Sequence, residues 1–184
     1  SHTKAVLSAS FDGENNECFC SASQDGTMRV WDLSDYSSQS VVPCIGKASC
    51  SIFLGTHIVS GWEDGFIRCH NVKTKQLKWE ISAHRGKIVS IDCNDKYVCS
   101  GGDDHVIRVW STVSQEMLGQ FSDHKKSVTQ VLIDVEAPHL LHSCSMDKTV
   151  ITTDLKTNRR IAYHALPVCC RAIVLHSIVF IYTF

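Results

Sequence analysis

Apolar and polar positions alternate along this chain in short runs, each ended by a cluster of Gly, Asp, Asn or Ser. That is the pattern of half-buried β-strands joined by tight turns. The stretch AHRGKIVSIDCNDKYVCSGGDDHVIRVWS, from Ala83 to Ser111, shows it most plainly. His84 opens it, and an alternating run through Ile88, Ser90 and Asp92 follows. A second run climbs to Ser100, a turn ends at Asp104, and a third run closes on Trp110. Three short strands are predicted there, with EMLGQF as a fourth, outer one.

The same pattern recurs. The turn aspartate falls at Asp25, Asp64, Asp104 and Asp147, with spacings of 39, 40 and 43, and a serine stands four residues before each: Ser21, Ser60, Ser100 and Ser143. Six residues after it come Trp31, His70, Trp110 and Thr153, and the opening histidine recurs as His2, His84, His124 and His164, with Cys44 in its place in the second copy. A self-similar period of ~40 residues marks a repeat array. In the first repeat the predicted strands run from Ala5 to Phe11 and from Cys18 to Ser23, then through MRVWDL and SSQSVV. The second repeat is the degenerate one, since both Cys44 and His70 depart from the pattern. The fourth carries a longer first connection through Glu136, Ala137 and Pro138.

Composition adds limits. The chain is 43% apolar and 20% charged, with a net charge of -1, which fits a globular protein and gives no bulk basic field for nucleic acid. Ten cysteines are scattered through strand patterns, which predicts buried free thiols in a reducing compartment. Nothing at the start reads as a secretory leader. The apolar tail from Ala172 to Phe184 is too short and interrupted for a spanning helix, which needs about 20 apolar residues. It is expected to form strands of a further repeat, the alternative being a foreign C-terminus.

Opening His, Ser-x-x-x-Asp turn and Trp at the end of the third strand, with a full Trp-Asp pair at Trp31-Asp32, resemble a tandem of WD40 repeats. The resemblance implies an all-β fold: a partial WD40 β-propeller of four complete four-stranded blades, at about 2–43, 44–83, 84–123 and 124–163, and the start of a fifth at 164–184. It also implies a buried relay in each blade, from carboxylate to imidazole to hydroxyl to indole. By position this is Asp104, His84, Ser100 and Trp110, and Asp25, His2, Ser21 and Trp31. Partial sets are Ser60 with Asp64, and His124 with Ser143 and Asp147. Such a relay stabilises only when complete, because an unpaired buried member costs roughly 1 to 3 kcal/mol.

Catalysis is not expected. A Ser-His-Asp trio repeated at fixed spacing in every blade is a structural device, and no G-x-S-x-G elbow accompanies it. No metal site is expected either, since the close pairs His139 with His142, Cys18 with Cys20 and Cys169 with Cys170 lack partners at zinc spacing. Neither a cofactor nor a small-molecule substrate is implied, and Gly101-Gly102 lies in a strand turn, not before a helix. What remains is surface: Trp62, Glu63, Asp103, Arg85, Lys87, Lys125 and Lys126 emerge near the corners with both signs of charge, which suits a protein partner. Trp62 is expected as an exposed aromatic anchor.

Within the class, SGWEDGFIRCHNVKTKQL, SAHRGKIVSID, SGGDDHVIRVW and SCSMDKTVITTDL are similar to the middle of cilia- and flagella-associated WD-repeat proteins. Those line the inside of axonemal doublet microtubules near the inner junction. The likeness implies a cytoskeletal scaffold of the cilium or flagellum axoneme, with tubulin and neighbouring inner proteins as partners and no membrane or nucleic-acid role. The alternative is a soluble cytoplasmic or nuclear adaptor such as a ubiquitin-ligase substrate receptor. Four blades and a part also lead us to expect a fragment of a larger protein with open sheet edges.

Overall fold

A computed structural model describes residues 1–12, 17–43 and 46–173. Cys44, part of the DGENNE connection and the tail beyond Ile173 lie outside the described residues, and the expectations for them stay with the sequence. The described residues form strands and turns without a helix. Residues 1–88 and 89–184 make two compact units.

The first unit holds two four-stranded antiparallel sheets whose strands are neighbours in chain order. One is β1 (Val6–Phe11), β2 (Cys18–Ser23), β3 (Thr27–Asp32) and β4 (Ser38–Pro43); the other is β5 (Ala48–Leu54), β6 (His57–Trp62), β7 (Phe66–Asn71) and β8 (Leu77–Ser82). The inner strands of the second sheet, β5 and β6, are buried almost throughout, while β8 is exposed at alternate positions. The core draws on both sheets: Cys20, Met28, Val30 and Val42 from the first pack with Ala48, Ile58 and Trp62 from the second.

The second unit repeats this plan with β9 (Ile88–Cys93), which starts at the last residue of the first unit, then β10 (Tyr97–Gly102), β11 (Ile107–Ser111) and β12 (Met117–Phe121). Its other sheet is β13 (Val128–Ile133), β14 (Leu140–Ser145), β15 (Thr149–Asp154) and β16 (Arg159–Ala165). Cys99, Ile107, Val109 and Phe121 pack with Val128, Val131, Ile133 and Leu141. A smaller cluster joins Cys144 and Val150 to Cys170 and Ile173, so the chain after β16 returns to cover the open face of β13 and β14. There Thr129 Oγ1 donates to the Cys170 carbonyl at 2.7 Å and the Ile173 N–H donates to Gln130 Oε1.

The first strand of each sheet has a sheet partner on one edge alone among the described residues, and side chains supply acceptors at the other. Ser8 Oγ on β1 accepts the Ser51 N–H of β5 at 3.1 Å. In the second unit Ser90 Oγ accepts from Val131 at 3.1 Å and the Asp92 carboxylate from Ile133 at 2.6 Å. Burial pushes the Asp92 carboxyl up to about 6, against the pull of the Ile133 and Cys93 N–H groups.

Close approach of neighbouring sheets needs small residues three positions before the corner aspartate. A Cβ on Gly61 would stand 2.5 Å from Ile88 Cγ2, and one on Gly101 2.6 Å from Val128 Cγ1. The pairing of third and fourth strands shifts register at one place in every sheet: between Val30 and Trp31, Cys69 and His70, Val109 and Trp110, and Thr152 and Thr153. The turn that follows contains one left-handed residue each time, Tyr36, Lys75, Gln115 and Asn158, at φ between 53° and 62°. Those turns are capped by the residue after the Trp position. Asp32, Asn71, Ser111 and Asp154 each accept a backbone N–H two residues on, so Asn71 and Ser111 do the work of the Asp of a Trp-Asp pair.

The recurring histidine fails once. His164 is exposed inside β16, opposite Val150, because the longer β13–β14 connection has displaced the 40-residue step. The residue two beyond the strand-end pair, where His84 stands in the second sheet, is here Pro167.

Candidate functional site

Polar corners recur at the Ser-x-x-x-Asp spacing. In the first sheet His2 Nδ1 lies 2.9 Å from Asp25 Oδ2 and Nε2 lies 2.7 Å from Ser21 Oγ, which also accepts the Trp31 indole N–H at 2.8 Å. Since a carboxylate only accepts, Nδ1 carries the proton toward Asp25 and Nε2 takes the serine hydroxyl. Asp25 further accepts the Thr3 and Thr27 N–H groups and the Thr27 hydroxyl. Burial alone would raise its pKa; the bonds from Thr27, Thr3 and His2 outweigh that and hold the carboxyl well below the usual range. Asp25, His2, Ser21 and Trp31 are thus joined in one chain of hydrogen bonds.

The β14–β15 corner follows the same scheme. His124 Nδ1 stands 3.2 Å from Asp147 and 2.9 Å from Thr149 Oγ1, and Nε2 stands 2.9 Å from Ser143 Oγ. Burial lowers the His124 pKa despite the adjacent Asp147, so the ring is neutral near pH 7. Asp147 is lowered, the Thr149, Lys125 and His124 bonds overcoming its burial. With buried Thr153 in the Trp position the relay stops at Ser143, 3.3 Å from the Ile151 carbonyl.

At two further corners an arginine holds the aspartate. Arg68 grips Asp64 with two guanidinium nitrogens at 2.8 and 3.2 Å and reaches Glu80 at 3.2 Å with Nε. Burial lowers the Arg68 pKa less than Asp64 and Glu80 raise it. Arg108 holds Asp104 at 2.8 Å and Gln120 at 3.1 Å. Both arginines stand four residues after the aspartate they hold, as Arg29 stands after Asp25, and Phe66 and Val106 take the places held by Thr27 and Thr149 in the other sheets.

Two expected roles are corrected. Trp62 is not an exposed anchor: it is 1% exposed, and its indole N–H donates to Ser60 Oγ at 3.0 Å while Arg68 stacks over it at 4.8 Å. It thus supplies, from β6, the indole that His70 does not offer from β7, and the buried His70 Nδ1 is left without a partner. The Ser100–Trp110 link is not made either. Trp110 Nε1 is buried without a hydrogen bond, and Ser100 Oγ faces the Arg108 carbonyl at 3.4 Å. His84 is buried in the first unit, its N–H donating to the Gly65 carbonyl at 2.9 Å.

The remaining candidate surface residues stay at the surface. In the first unit Glu63 pairs with Lys47 at 3.5 Å, Arg85 is exposed and Lys87 half-buried. In the second, Asp103, Lys125 and Lys126 are exposed around Met146, with Asp103 accepting the Ser127 hydroxyl at 2.5 Å. Among the described residues no three His, Cys, Asp or Glu side chains gather as metal ligands do.

The family model described as "WD domain, G-beta repeat" matches residues 1–32, 75–111 and 115–152. The gap from 33 to 74 holds most of the degenerate second repeat. A p21-activated protein kinase-interacting protein 1-like of Xenopus laevis is 29% identical over 116 residues, 61% of this chain and 32% of its own length. Ribosome biogenesis protein YTM1 of Vanderwaltozyma polyspora is 26% identical over 233 residues, 86% of this chain and 50% of its own length. Cilia- and flagella-associated protein 52 of Mus musculus is 33% identical over 113 residues, 58% of this chain and 18% of its own length. The chain spans half or less of each of these relatives. With the repeat model covering more than half of the residues, and four-stranded meander sheets carrying the corner relays, the chain belongs to the WD40 repeat family.

Proposed function

We propose that the chain is a non-catalytic scaffold that binds proteins through the end of its sheets carrying the aspartate corners. We further propose that it serves as a structural component of ciliary or flagellar axonemal doublets. The carrying observation is that the corner chemistry is spent internally. Ser21 Oγ is shared by His2 and Trp31, and Ser143 Oγ by His124 and the Ile151 carbonyl, all inside the sheets. A serine nucleophile needs a free oxygen and a path for substrate, and these have neither. What the corner end offers is mixed charge around Met146, with Lys125, Lys126 and Asp103, a surface for a protein partner.

The axonemal reading is supported by the 33% identity to cilia- and flagella-associated protein 52. A second reading is favoured by the ribosome biogenesis protein YTM1, which matches 86% of this chain. On that reading the protein is a nuclear assembly adaptor, close to the nuclear alternative drawn from the sequence. Labelling the full-length product in multiciliated cells separates them. Signal along the cilia is expected, and nucleolar or diffuse nuclear signal with bare cilia would remove the axonemal role.

A further inference from the structure

At the end of the second unit opposite its aspartate corners, the β9–β10 turn, the β13–β14 loop and the β15–β16 turn enclose a pocket of about 360 Å³. Its frame is fixed by hydrogen bonds to the backbone of its turns. Asn94 Oδ1 accepts the N–H groups of Lys96 and Tyr97 at 2.9 and 2.8 Å, and Asn94 Nδ2 donates to the Pro138 carbonyl at 3.3 Å, bolting turn to loop. The Thr112 N–H and hydroxyl hold the Lys96 and Asp95 carbonyls, and the Leu155 N–H holds that of His139 at 2.8 Å. The pocket is therefore preformed, so a ligand need not order it.

Its lining is amphipathic. Tyr97 is half-buried against the unit's core and, with Pro138, gives an apolar wall. Lys96 and Lys156 stand at the exposed rim and have no ion-pair partner among the described residues, whereas Arg108 and Arg160 of the same unit are paired with Asp104 and Asp123. Asp95 is the one carboxylate in the lining, and nearby Asp154 is occupied in capping its own turn through the Lys156 N–H and the Thr157 hydroxyl. The adjoining hollow beyond Asn94 and Pro138 carries the carboxylates of Asp92 and Asp134. An acidic group is repelled there and drawn to the lysines.

We propose that this pocket docks an acidic peptide segment of a partner protein, an aromatic side chain lying against Tyr97 and Pro138 while flanking carboxylates reach Lys96 and Lys156. The volume, at the low end for ligand pockets of ~300 to 1,000 Å³, takes one large side chain and leaves its neighbours at the charged rim. This site is separate from the corner end and stands without the scaffold's identity.

The test is a fluorescence anisotropy titration of the purified chain with a labelled peptide in which glutamates flank a single tryptophan. Binding that weakens with salt is expected. Combining Lys96→Glu with Lys156→Glu should lower affinity by about tenfold or more at an unchanged melting temperature, since both side chains are exposed. The Lys96→Arg, Lys156→Arg pair should keep it, and the charge-reversed protein should instead bind a lysine-flanked tryptophan peptide. Lys125→Glu with Lys126→Glu, at the corner end, should leave affinity unchanged. The proposal is overturned if the native chain ignores the glutamate peptide, if a glutamine-flanked version binds as well, or if only the corner variant abolishes binding.

Discussion

Asp25 and Asp92 are both shielded carboxylates, and their different company gives them opposite acidities. Asp25 gathers two backbone N–H groups, the Thr27 hydroxyl and His2, and is held below the usual carboxylate range. Its stabilisation is present above the unfolded value of ~3.9 and is lost as pH falls through the folded value. At pH 7 Asp25→Ala should cost about 1 to 3 kcal/mol by urea unfolding, and an unchanged midpoint would contradict the relay's structural role. Asp92 has only two backbone donors, and burial lifts it to about 6. Its sign is reversed: the folded state favours the neutral acid, so stability is greatest below ~3.9 and declines as pH rises through about 6. Comparing Asp92→Asn with the parent by thermal melts, the difference should move in the variant's favour between pH 4 and pH 8.

At the scale of strands, alternation and turn chemistry made most of the fold legible. The strand read from Cys18 to Ser23 has those ends, and the one read through SSQSVV falls within a residue of Ser38–Pro43. The partnering of side chains was less legible. Ser60 and Trp62 are two apart on one strand and so share a face, which lets the indole reach the hydroxyl. A reading keyed to the Trp position on the third strand passes over that geometry. The Trp110 link failed for a related reason, since spacing sets which strand a residue occupies and not the direction its hydroxyl or N–H takes. His164 was misplaced by counting residues across a connection of different length. Packing between strands gives a paired prediction. Gly101→Ala drives a methyl into Val128 and should cost about 1 to 3 kcal/mol. Gly86→Ala meets nothing within 4 Å and should stay within about 0.5 kcal/mol. Equal denaturation midpoints for the two would refute the close-packing argument.

Across the whole molecule, each unit carries its own apolar core, built from two sheets that bury inner strands and leave outer ones wet. Amide hydrogen exchange should follow that gradient, with β6, β10 and β14 slowest and β8, β12 and β16 fastest. Uniform protection across a sheet would argue against it. The repeat order was plain from the sequence because four copies reinforce one another. The Lys96–Lys156 pocket was not, because its residues come from turns far apart in the sequence that only the folded chain brings together. The left-handed residues of the outer turns do recur, and three of the four, Tyr36, Lys75 and Gln115, are side chains that seldom favour that backbone. Exchanging any of them for glycine or asparagine should relieve roughly 0.5 to 1 kcal/mol and register as a higher melting temperature. Because each turn belongs to a different sheet, the gains should add. Each of these turns thus holds back some durability in its backbone, which a hardier version for laboratory work can recover one turn at a time.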